Sequence, residues 1–484
     1  MIIVALKKVE SFMLCLCCLL SFCYSCKGKE PYKADGQKPV EGVNQLGFKP
    51  HKDGSPFDTY RGLVMAGYQG WFCSPESGCS HDDQWYHYQS RGRFEPGVLR
   101  NSIDFWPDVS EYEKTYETDR FILPNGDKAK VYSAYDKSSV MLHFKWMKDY
   151  GLDGVFMQRF VGEVIDNRRG KDHFDKVLES AMEGSNVYTR AICIMYDLSG
   201  ARPVQIKKTI DDAQEIMDKY QLKDRTKQKF YLHENGKPLI AVWGVGFNDN
   251  RPYSLENIEE LIDGLREKGF SIMLGVPTYW RERRNDALSD IKLHELIKKA
   301  DVIMPWFVGR YDNSNYSNFH DLIEKDIAWC KTNDVGYAPL CFPGYADRNM
   351  HPNNSVRSRY GGDFLWKQMY HCVKSGAEML YIAMFDEIDE GTAIYKCLNE
   401  NNVPSNKAED DYWVLFKNNT YSVKDKEVME GLSENEWCKP ASSLNVTFQG
   451  IENNLPTDHY LWVTQQGGKM LRGEIPMTMM LPVR

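Results

Sequence analysis

Residues 379–396 read MLYIAMFDEIDEGTAIYK, an apolar run that ends in four carboxylates within five positions: Asp386, Glu387, Asp389 and Glu390. Two carboxyls three residues apart, on the turn leaving a strand, can point into one cleft, and glycoside hydrolysis needs such a pair. One must be protonated to assist the leaving oxygen while the other stays ionised. Crowding like charges together helps, because repulsion raises one pKa above its neighbour's. The same four acids also read as a solvated acidic loop or as a cation site.

The scaffold that holds these acids recurs along the chain. Short apolar runs lie at 62–68, 154–160, 191–197, 238–244, 270–276, 301–307, 337–342 and 379–385. Near-continuous apolarity without polar alternation marks strands buried on both faces, as in parallel sheets. Between the runs lie amphipathic helical patterns at 135–151, 174–189, 204–220, 255–268, 291–300, 319–333 and 363–376. In the first, Val140, Phe144 and Met147 share a face, Ser138 or Ser139 is placed to cap the start, and Gly151 stops it. Eight strands alternating with helices predict an α/β fold, a (β/α)8 TIM barrel, over 56–400. A doubly wound open sheet is the rival, but no GxGxxG follows the first run. Residues 69–136 form a long loop after strand one, and 401–484 a polar C-terminal extension that ends in a helix packing back on the barrel.

In such barrels the strand C-termini form the active face, so the residues ending each run become candidates. They are Tyr68 and Gln69, Gln158 and Arg159, Tyr196 and Asp197, Trp243, Trp306 and Arg310, Tyr345, and the four acids. Trp71, Trp85, Trp243 and Trp306 are each a stacking platform for a sugar ring or a core residue. Arg159 and Arg310 are placed to bind acidic or hydroxyl-rich sugars, or to pair with the acidic cluster. Asp197 is placed to orient a sugar hydroxyl or to cap the following helix. His81, His87 and His143 show no spacing of a ligand set.

The stretch FDEIDEGT resembles the closing motif of glycoside hydrolase family 99 and its relatives in family 71, where Trp-Asn-Glu-Trp-His-Glu-Gly-Thr ends the last barrel strand. YQGWF, YGLDGVFMQRF and PLCFPGY resemble further family landmarks, so the likeness spans 60–396. It is similar as well to family 71/99-like lipoproteins of bacterial polysaccharide-degrading systems. Family 99 enzymes are endo-α-mannosidases and endo-α-mannanases that retain configuration without a metal. The resemblance implies that Glu387 acts as base on the sugar 2-hydroxyl, through a 1,2-anhydro intermediate, and that Glu390 is acid/base on the leaving oxygen. Asp386, Ile388 and Asp389 depart from the motif's Asn, Trp and His. That departure supports a second reading, a catalytically idle glycan-binding protein on the same barrel; a Ca²⁺-dependent adhesion module is a third.

Composition limits the partners. The net charge of -8 and pI near 5.9 leave no electrostatic footprint for nucleic acid or an anionic membrane. The 13% aromatic content, with 12 Trp and 28 Tyr, suits a carbohydrate partner. At the N-terminus Lys7 and Lys8 precede the apolar run 11–26, a signal peptide that ends at Ser25-Cys26 like a lipoprotein leader. Cys26 is then the lipidated residue, 27–55 a tether, and the expected product an exported monomer, lipid-anchored in the periplasm or outer membrane of a Gram-negative bacterium. Cys73 and Cys79 are close enough in sequence to pair in an oxidising compartment. No CxxC pair or zinc-type Cys/His spacing is present, so neither metal nor cofactor is expected.

Overall fold

The computed structural model describes residues 47–484 apart from Asp82. The expected leader, its lipidation site Cys26 and most of the 27–55 tether lie outside the described residues. Among the described residues no helix is long and apolar enough to cross a membrane.

The eight apolar runs form eight parallel barrel strands: β1 Val64–Tyr68, β2 Gly154–Phe160, β3 Ala191–Asp197, β4 Lys237–Trp243, β5 Ser271–Val276, β6 Val302–Pro305, β7 in two pieces, Gly336–Tyr337 and Leu340–Cys341, and β8 Leu380–Ile382. The interruption in β7 falls at Ala338-Pro339, where proline cannot donate to a ladder. The first piece pairs with β6 and the second with β8. Because β8 also pairs with β1, the sheet closes into a ring. The fold is therefore the (β/α)8 barrel that the alternation predicts.

Helices of the outer layer follow the first seven strands in turn: Lys137–Asp149, Arg168–Tyr188, Pro203–Tyr220, Leu255–Lys268, Lys292–Lys298, His320–Thr332 and Asp363–Lys374. The first starts differently from expectation. Its cap position is Asp136, whose carboxylate instead accepts from Tyr116 Oη at 2.5 Å, and neither the Ser138 nor the Ser139 hydroxyl finds a hydrogen-bond partner. The eighth helix, His459–Leu471, comes from the C-terminal segment and packs against Asp363–Lys374 and β1. Gly467 and Gly468 permit that fit: a Cβ on Gly467 would meet Met369 Sδ at 2.2 Å.

Two small sheets decorate the barrel. The long loop after β1 carries an antiparallel hairpin, Tyr116–Ile122 with Lys128–Val131. The C-terminal segment, polar and irregular in sequence, carries three antiparallel strands, Trp413–Lys417, Thr420–Lys424 and Trp437–Pro440.

Register decides which strand-end residues see the lumen, because residues paired across parallel strands point to the same face. Gln158 pairs with Met195, and Phe160 with Asp197 and, through it, Trp243; these face inward. Arg159 pairs with Tyr196, and this row faces out to the helices. There Arg159 donates to both oxygens of Asp212 at 2.6 and 2.7 Å, and Tyr196 Oη donates to Asp212 at 2.5 Å. Asp175 adds an ion pair to Arg159 at 2.8 Å. Burial alone would raise the Asp212 carboxyl, but the bonds and charge of Arg159 hold it down at about 2. Arg159 and Tyr196 are thus not substrate contacts, and Arg159 does not pair with the acids of β8. Tyr68 is displaced by the same parity and spends its hydroxyl on His143 Nδ1 at 2.8 Å.

Breaking this buried pair on one side strands a charge. Asp212→Ala is expected to cost about 3–5 kcal/mol in urea unfolding, and adding Arg159→Met should recover part of that loss. Equal stability of Asp212→Ala and the parent chain would contradict the assignment.

Candidate active site

The acidic turn leaves β8 at the C-terminal mouth of the barrel, and each of its four carboxylates meets a different environment. Asp386 is fully buried and accepts the backbone N–H groups of Gln69 at 2.7 Å and Gly70 at 2.9 Å, one on each oxygen. Gly70 sits at φ +65°, and a Cβ there would crowd Val177 at 2.9 Å, so glycine lets its N–H turn toward the carboxylate. Asp386 therefore staples the end of β1 to the end of β8 and is not a substrate contact. An asparagine could accept only one of those two bonds.

Glu387 is 5% exposed and held at both oxygens. Gln69 Nε2 donates to Oε1 and Thr392 Oγ1 to Oε2, each at 2.5 Å. Asp389 is 4% exposed; its Oδ2 lies 3.7 Å from His87 Nδ1 and its Oδ1 is buried without a partner. Glu390 is only half-buried and lines an open cleft of about 500 Å³ with Trp306, Arg310, Tyr345, Asn354 and Arg357.

The electrostatics follow from this crowding. Burial, with the charges of Asp389 and Asp386, raises the Glu387 carboxyl, against the donors Thr392 and Gln69. Glu390 is raised well above the ordinary glutamate range by burial and by the charges of Glu387, Asp389 and Asp347. Burial likewise lifts Asp389. Asp347 is itself tied down, accepting from Tyr345 Oη at 2.8 Å, with His351 Nδ1 also 2.8 Å away.

The remaining candidates divide by position. Trp71 is half-buried, stacked between His87 at 3.9 Å and Phe160 at 5.0 Å. Trp243 and Trp306, both half-buried, meet edge to face at 5.3 Å, and Arg251 lies over the Trp243 ring at 4.9 Å. Gln158 and Tyr381 lie in the lumen, where Gln158 Nε2 sits 3.1 Å from Met195 Sδ and Tyr381 Oη 3.7 Å from the same sulfur. Asp197 accepts the Ser199 N–H at 2.7 Å in a local turn; the next helix starts only at Pro203, so Asp197 does not cap it. Arg310 pairs with Asp286 at 3.1 Å, on the cleft wall rather than on the acidic turn. Trp85 packs on Phe94 at 5.1 Å, and His143 is locked between Tyr68 and Tyr112.

Asp347 and His87 stand beside the acidic turn, and sequence reasoning did not connect them with it. Asp347 follows the PGY element by two residues, a signal that was available. Nothing in the spacing of His87 indicates that it meets Asp389.

Asp386 makes a stability prediction with a definite sign. Burial pushes its carboxyl up to about 7, against the pull of the Gln69 and Gly70 amides. Its folded-state pKa lies above the unfolded value of about 4. Its contribution to stability is therefore complete below that value and is lost as pH rises through about 7. Thermal unfolding should show lower stability at about pH 8 than at about pH 5. Asp386→Asn should cost about 1–3 kcal/mol at the lower pH and flatten part of that slope; an unchanged slope would sink the assignment.

No protein-family model matches this chain, and no curated protein does. Solved structures do. The GH99 endo-α-mannosidase from Bacteroides thetaiotaomicron aligns with a TM-score of 0.54 at 15% identity, over 86% of this chain and 98% of that one. The same enzyme in complex with Bis-Tris propane aligns with the same score, identity and coverage. This chain shares the barrel fold of that mannosidase.

Proposed function

We propose that the protein is a glycoside hydrolase acting on a polysaccharide or oligosaccharide, α-mannan-like by the resemblance of its closing motif. The observation that carries this reading is the different setting of two neighbouring carboxylates, both raised by burial and by the carboxylates around them. Glu390, raised by burial and three surrounding charges, faces an open cleft, while Glu387 beside it is fixed at both oxygens.

A general acid must hold its proton at the working pH and reach the substrate. Glu390 meets both demands, and it protonates the leaving glycosidic oxygen. A base must be oriented and keep lone pairs free. Glu387 accepts two hydrogen bonds, which leaves about two of its four lone-pair sites open. In the retaining route implied by the motif, Glu387 takes the proton of the sugar 2-hydroxyl as that oxygen closes on the anomeric carbon. Glu390, ionised after its proton transfer, then takes a proton from the water that opens the ring, and Glu387 returns its proton to the 2-oxygen. Trp306 and Tyr345 offer faces to sugar rings, and Arg310, Arg357 and Asn354 offer donors to hydroxyls. Export and lipid anchoring through Cys26 belong to the same proposal, since polysaccharides are met outside the cell.

Glu390→Gln and Glu387→Gln are each expected to lower turnover about a hundred- to ten-thousandfold while the glycan still binds. The assay is product mass after incubation with α-mannans, α-glucans, arabinans and xylans. Binding without turnover by the parent chain would instead support the idle glycan-binding reading. Asp347→Asn removes a negative charge beside Glu390, so the proton leaves more easily and the alkaline limb of the pH–rate profile should move to lower pH.

A further inference from the structure

The open cleft that Glu390 lines also carries two arginines, Arg310 and Arg357, and Glu390 is the one carboxylate among its lining residues. Arg310 has a counter-charge in Asp286 at 3.1 Å. Arg357 has no ion pair among the described residues; it meets backbone carbonyls instead. Its Nη1 donates to Ser355 at 2.8 Å and its Nη2 to Gly309, next to Arg310, at 3.3 Å, while its Nε is buried without a partner. The two carbonyls orient the guanidinium but do not neutralise it, and three of its five N–H groups stay unclaimed. Asp312 feels this charge, yet its carboxylate is spent on Ser314 and Asn315.

A second uncompensated charge lies two residues on. Arg359 is 5% exposed, stacks on Phe105 at 4.1 Å and on Tyr460 at 4.6 Å, and donates to the Gly391 and Ala393 carbonyls. Its Nε and Nη1 have no partner. It lines a smaller cavity of about 140 Å³ that shares Tyr345 and Arg357 with the main cleft. Glu400 and Glu452 line that cavity too, but Glu452 accepts from the Gly361 N–H and Tyr460 Oη, so the unanswered positive charge belongs to the Arg357 side.

An arginine fixed in a cleft without a counter-charge is stabilised when an anion enters. Glu390 does not serve as that anion, because burial and the charges of Glu387, Asp389 and Asp347 keep its proton on. A neutral sugar asks for hydrogen-bonding groups and not for charge, and Asn353 and Ser355 stand on the same wall for that. The chain as a whole carries a net charge of -8, so this positive wall is local.

We infer that the glycan taken by this cleft bears an anionic substituent, a uronate carboxylate or a sulfate ester, which Arg357 binds with Arg310 beside it. The inference rests on the hydrolase reading of the cleft and adds a charge requirement to the α-mannan-like backbone that the closing motif suggests.

The test compares matched polymers by calorimetric binding to the parent chain and to Glu390→Gln, with product masses from the parent. Polygalacturonate and alginate are set against their carboxyl-reduced forms, a sulfated fucan and galactan against their desulfated forms, and α-mannan against its carboxyl-bearing and sulfated derivatives. A charged form should bind at least about tenfold tighter than its neutral match, with a preference that shrinks as salt is added. Arg357→Gln should erase that preference while neutral polymers bind as before, and Arg357→Lys, which keeps the charge, should retain part of it. Preference confined to the carboxylated pairs assigns a uronate, and preference confined to the sulfated pairs a sulfate ester. Equal binding of charged and neutral forms, a preference that survives Arg357→Gln, or binding of none of the polymers overturns the inference. Cleavage of neutral polymers without preference would overturn it and leave the hydrolase reading standing, whereas charged-form binding that yields no product would do the reverse.

Discussion

Placing four carboxylates in one turn at the mouth of an apolar barrel is the constraint on which the other features depend. Charge buried without compensation is costly, and each acid here is met differently. Backbone amides of Gln69 and Gly70 hold Asp386, and the side chains of Gln69 and Thr392 hold Glu387. Glu390 keeps partial contact with the open cleft. The donors from Gln69 and Gly70 come from the end of β1, so the turn is satisfied only when β1 and β8 lie side by side. Closure of the barrel and assembly of the acidic site are one event.

The outer layer solves a second charge problem separately. Arg159, Tyr196 and Asp212 form a buried network between strands and helices. It raises no group toward catalysis, and its geometry fixes the helix Pro203–Tyr220 against the sheet. Inside the lumen, Gly67 contributes by having no side chain at all. A Cβ there would meet the Tyr381 hydroxyl at 2.5 Å and Met384 at 2.1 Å. Its bareness makes room for Tyr381 and Met384.

The barrel was legible because parallel strands covered on both faces must be apolar throughout, and eight such runs alternate with amphipathic segments. That same uniformity hides parity. With no polar alternation to mark inside from outside, Tyr68, Arg159 and Tyr196 look as available as Gln158, Asp197 and Trp243, and only register separates them. Asp386 is deceptive for a related reason: a carboxylate that accepts backbone amides is indistinguishable, in sequence, from one that accepts a sugar hydroxyl. The eighth helix was legible as a helix packing back on the barrel but not as the one that completes its outer layer, because a three-stranded sheet separates it from β8. Glu387 and Glu390 became candidates from spacing and motif together, since the proposed chemistry asks for two carboxyls on one turn.

If Glu390 is the acid, the barrel mouth must keep it protonated where an ordinary glutamate is ionised. Carboxyl-carbon magnetic resonance of the isotope-labelled chain, followed through a pH titration, measures this directly. One glutamate signal, missing from Glu390→Gln, should titrate well above the ordinary value of about 4.3. A Glu390 signal that titrates at that ordinary value would contradict its role as the acid.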